Sequence, residues 1–149
     1  MLELPLPELL TRLIATGVWP SAAGPSMTAQ QLKPLIPAER VRRFAPQESL
    51  ICLQPSPFHT IAAEQAWRSS GDFWEQFCRL DQIVPERALI IGDFGLGSDA
   101  PIILDFARDA ENPPVLYLRW GPEHHNEWVQ GARDFDEFAE LLGLAEGAT

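Results

Sequence analysis

Residues Gly92-Asp93-Phe94-Gly95-Leu96-Gly97-Ser98-Asp99 are the segment best equipped for chemistry, with three glycines and two aspartates between the apolar runs Leu89–Ile91 and Ile102–Leu104. Asp93-Phe94-Gly95 spells the triplet in which kinases hold magnesium, but a kinase also needs a His-Arg-Asp loop, a glycine-rich loop and a strand lysine. The sole lysine is Lys33, and the other parts are absent. A dinucleotide site needs its glycines to open a helix, whereas Pro101 and an apolar run follow here; a phosphate loop would end in lysine. Asp93 and Asp99 could ligate calcium, yet their spacing does not fit an EF-hand, and a carboxylate in such a loop commonly bonds its own backbone. Glycine's tolerance of positive φ accounts for the rest, so the segment reads as an elaborate turn between strands.

Other reactive residues are few. Zinc needs three or four placed ligands, and the histidines are His59 and the adjacent His124-His125, which point apart on extended backbone. There is no HExxH or GxSxG pattern. Cys52 and Cys78 form no CxxC pair and read as reduced, buried small hydrophobes, although a single bridge between them is open. The sequence therefore predicts no catalytic residue, no metal and no cofactor. Tryptophans 19, 67, 74, 120 and 128 are numerous for this length; core packing explains most, and any exposed one would suit a binding surface.

Charge is the second signal. Residues 1–70 hold five acids against six bases, whereas residues 71–149 hold sixteen acids against five, which accounts for the net −10. A field of that sign repels phosphate backbones and steers basic proteins in, so a protein partner is expected and direct nucleic-acid binding is not. Solubility alone is the competing explanation. No apolar run reaches the roughly 20 residues that cross a bilayer, and Met1-Leu2-Glu3-Leu4-Pro5 lacks a leader's basic start, so a soluble, cytoplasmic protein without membrane attachment is expected.

The 149 residues suit one domain. Leu6, Leu9, Leu10, Leu13 and Ile14 recur at helical spacing, with Pro7 in the first turn and Gly17 as terminator. Short helices are predicted after Ser26 or Thr28 and over Pro37–Phe44, and helix again from His59 to Leu80, with Phe73, Trp74 and Phe77 on one face and a break at Ser69–Asp72. Strands are predicted near 50–53, 88–91, 102–106, 115–120 and 128–131, joined by turns too short for parallel crossovers. Asp134 with Glu137, the stripe Phe135, Phe138, Leu141 and Leu142, and Gly143 define a capped last helix. The fold class is α+β, with a mainly antiparallel central sheet and helices packed around it.

The order of these pieces resembles the SUKH superfamily, which includes the fungal Smi/Knr cell-wall-synthesis regulators and many bacterial immunity proteins. The matching residues are Ile91–Asp99, the strand ending Leu104-Asp105-Phe106, Pro114–Leu118 with Trp120, Trp128-Val129, and Phe135–Phe138 with Leu142-Gly143-Leu144. They cover roughly residues 86–144. Asp105-Phe106 stands where the family usually has Asp-Tyr, keeping the ring and losing a hydroxyl. The resemblance implies a non-enzymatic α+β domain that acts by binding, with residues 92–99 as a structural signature.

The function expected is an intracellular immunity protein that masks a toxin, such as a basic nuclease domain, with acids of the second half. Asp109, Glu111, Glu123 and Glu127, all placed in loops by the sequence reading, are the candidate contacts. The alternatives are a Smi/Knr-type regulatory or scaffold module without a toxin, and a small ligand- or metal-binding enzyme using residues 92–99.

Overall fold

The computed structural model describes residues 4–19, 36–54, 58–67, 80–94, 101–119, 121–122 and 126–144. Their framework is a six-stranded antiparallel sheet in the order β1 (Cys52–Leu53), β3 (Ala88–Asp93), β4 (Pro101–Asp105), β5 (Val115–Arg119) and β6 (Glu127–Ala132), with β2 (His59–Thr60) also on β3. The α+β class and the antiparallel sheet are as the sequence predicts. The helices are α1 (Glu8–Ala15), α2 (Ala38–Phe44), α3 (Ile61–Trp67) and α4 (Phe135–Leu142), and two 3₁₀ turns, Leu80–Gln82 and Pro85–Arg87, lead into β3.

Apolar side chains cover both faces of the sheet. Leu89, Ile91, Ile102, Leu104, Val115 and Tyr117 pack with Leu10 and Leu13 of α1, Val41 and Phe44 of α2, and Phe135, Phe138 and Leu142 of α4. On the opposite face Ala88, Ile103, Leu116, Leu118 and Trp128 meet Ile61 of α3 and Ile83. Every residue of β4 is therefore buried, which is why Ile102-Ile103-Leu104 shows no alternation. Removing a phenyl ring such as that of Phe138, which is fully buried, from water contributes about 1.5–3 kcal/mol.

Local chemistry sets the ends of the elements. Pro7 and Pro37 precede α1 and α2, where a missing N–H costs nothing. Asp134 Oδ1 accepts the Glu137 N–H at 2.9 Å, while Glu137 Oε1 accepts the Arg133 N–H at 2.9 Å, a reciprocal cap displaced one residue from the expected box. At the far end of α4, Gly143 is left-handed (φ 80°) and the Leu144 N–H reaches the Ala139 carbonyl at 2.8 Å, with the Leu144 side chain buried. Gly131 is required by packing: a Cβ there would lie 2.3 Å from Phe44 Cε1.

Several boundaries depart from the sequence reading for identifiable reasons. Gly92 and Asp93 lie in β3 and not in the turn, because β1 continues the ladder by pairing Cys52 with Asp93 and Leu53 with Gly92. His59 and Thr60 are strand and not helix, pairing Ile90 and Leu89 farther along the same edge; Thr60 Oγ1 then accepts the Ala63 N–H as α3 begins. Residues 49–51 lie outside β1, and Phe106 belongs to the turn after β4. Cys52 is a free, buried thiol. The predicted helix after Ser26 or Thr28, the face formed by Phe73, Trp74 and Phe77, the Ser69–Asp72 break and Cys78 lie outside the described residues, as do Trp120 and His124-His125.

Candidate functional site

The strand register sorts the acids into two groups. Because neighbouring strands are antiparallel, the end of β3 at Asp93, the start of β4 at Pro101, the end of β5 at Arg119 and the start of β6 at Glu127 share one end of the sheet, here the hairpin end. The Asp105–Pro114 turn, with Asp109 and Glu111, lies at the other end beside the start of α4. The acids proposed from sequence as partner contacts are thus divided between opposite ends.

At the hairpin end Gly92 and Phe94 have structural roles. A Cβ on Gly92 would stand 2.8 Å from the Cys52 carbonyl oxygen, so glycine permits the close approach of β1. Phe94 is buried, with its ring centroid 5.3 Å from Tyr117 and 6.0 Å from Phe44. Burial, then the charge of Asp93, raises both the Glu48 carboxyl and the Cys52 thiol above their ordinary values. Burial likewise raises the Tyr117 phenol, with Arg119 opposing and Glu48 adding to the effect. Among the described residues no three His, Cys, Asp or Glu side chains are grouped as metal ligands. Gly95, Leu96, Gly97, Ser98 and Asp99 lie outside the described residues.

Glu127 is the first residue of β6 and not a loop residue, and its Oε1 accepts a hydrogen bond from Arg119 Nη2 across the β5–β6 pair. A cross-strand partner therefore already engages this acid. Glu123 lies outside the described residues.

At the opposite end, structure again claims part of the acid. Asp105, buried at the end of β4, accepts the Ala107 N–H at 3.1 Å and pairs with Arg108 at 3.0 Å. Its neighbour Phe106 is buried and donates its N–H to the Arg87 carbonyl, so the Asp-Phe pair locks the turn against the start of β3. Asp109 accepts the N–H groups of Glu111 and Asn112, both at 2.9 Å, and these bonds hold its carboxyl below the usual range. Asp109 thus shapes the turn that presents Glu111.

Glu111 lines a cleft of about 330 Å³ formed by three elements distant in sequence. The start of α1 supplies Pro7, Glu8, Leu9 and Arg12, the β4–β5 turn supplies Glu111, Asn112 and Pro113, and the start of α4 supplies Asp134, Phe135 and Asp136. Asp134 serves as the α4 cap and lies 3.9 Å from Arg133. Among the described residues no ion pair or hydrogen bond engages the carboxylates of Glu8, Glu111 and Asp136. Three carboxylates beside Arg12 in a mostly polar cleft can receive a cationic side chain. Of the acids lining the cleft, the sequence put Glu111 among the candidate contacts but not Glu8 or Asp136. Acids in the first turns of helices are the available signal, and helix-dipole complementarity already explains them locally.

Comparison of the chain with protein-family models, with characterised proteins and with solved structures finds no match. Among the described residues no helix is long and apolar enough to cross a membrane.

Proposed function

We propose that this chain is a cytoplasmic, SUKH-type protein-binding domain without enzymatic activity, and that it acts as an immunity protein by masking a basic toxin domain. The observation that carries this reading is the cleft at the turn end of the sheet, which Glu8, Glu111 and Asp136 line with no ion pair or hydrogen bond to their carboxylates among the described residues. An acidic surface is complementary in charge to the basic residues with which a nuclease holds its substrate, and such complementarity accelerates association. The reading is supported by the α+β class, which the resemblance in sequence also implies, and by the packing and backbone roles of Gly92, Phe94, Asp105 and Phe106.

The experiment is co-expression with the product of the adjacent gene, followed by purification and a growth assay. A 1:1 complex together with protection of the cells from that product supports immunity. A complex with a non-toxic partner would transfer the same binding surface to a regulatory module of the Smi/Knr type. Absence of both binding and protection would sink the immunity reading.

A further inference from the structure

We draw no further inference here: the strongest candidate outside the cleft, the Glu48, Cys52, Asp93 and Tyr117 cluster at the hairpin end of the sheet, rests on shifted ionisation alone, and nothing in the structure shows what it would hold.

Discussion

The two ends of the sheet carry the same residue types in different states of engagement. At the hairpin end, Asp93 extends a strand, Glu127 is paired across β5–β6, and the rings of Phe44, Phe94 and Tyr117 pack behind them. At the turn end, Asp105, Asp109 and Asp134 serve local structure, while Glu8, Glu111 and Asp136 remain around the cleft. Net charge alone therefore does not locate a binding surface. Acids that satisfy backbone N–H groups or an arginine are part of the fold, and those left over after that accounting are candidates for recognition.

Substitutions at the two ends should separate folding from binding. The largest effect is expected at Phe44, whose ring lies 4.9 Å from Phe138 and 5.2 Å from Tyr117. Phe44→Ala should cost about 3–5 kcal/mol in urea unfolding. An unchanged midpoint would show that these rings do not anchor the sheet to α2 and α4.

Gly92→Ala comes next, because the added methyl meets backbone at the Cys52 carbonyl and not a flexible side chain. A loss of about 1–3 kcal/mol is expected. If stability instead rises, as it does where glycine is only a source of chain entropy, the structural account of the signature glycine is wrong.

The triple variant Glu8→Gln, Glu111→Gln, Asp136→Asn should lower stability by about 0.3–1 kcal/mol at each of the two helix first-turn acids, Glu8 and Asp136, and by no more than about 0.5 kcal/mol at Glu111 in its turn. Thermal unfolding checks this, and a loss of several kcal/mol would mean that the cleft acids hold the fold together.

The smallest expected effect is at Glu48. Its carboxyl is raised by burial and by Asp93, so the folded state binds the proton more tightly than the unfolded chain does. That ionisation opposes folding above the raised value and has no influence below the ordinary carboxylate range. Glu48→Gln should therefore raise the melting temperature slightly at neutral pH, with the gain fading as the pH falls through the raised value and gone below about pH 4. A gain that persisted at low pH would contradict the electrostatic cause.

The legible part of the fold is its local chemistry. Pro7, Gly17, Asp134 and Gly143 mark helix ends through φ and capping, and the α4 stripe buries Phe135, Phe138 and Leu142 as its spacing requires. Pairing across long separations was not legible. His59 and Thr60 are strand only because β3 offers an edge, and tertiary context there overrides a helical pattern. The site divides in the same way: turn composition points to Asp109 and Glu111, whereas nothing local tells that Glu8 and Asp136 join Glu111 around one cleft. Glu127 was misplaced in a loop because the β5–β6 ladder, which sequence alone does not fix to the residue, begins with it.

The central claim is that the turn end, and not the hairpin end, recognises a basic partner. Titration calorimetry of the co-purified partner against the Glu8→Gln, Glu111→Gln, Asp136→Asn variant and against Glu127→Gln tests it most directly. The cleft variant should weaken binding by about tenfold or more, roughly 1.4 kcal/mol, while Glu127→Gln stays within about twofold. Full affinity in the cleft variant, with loss in Glu127→Gln, would contradict the account and move recognition to the hairpin end.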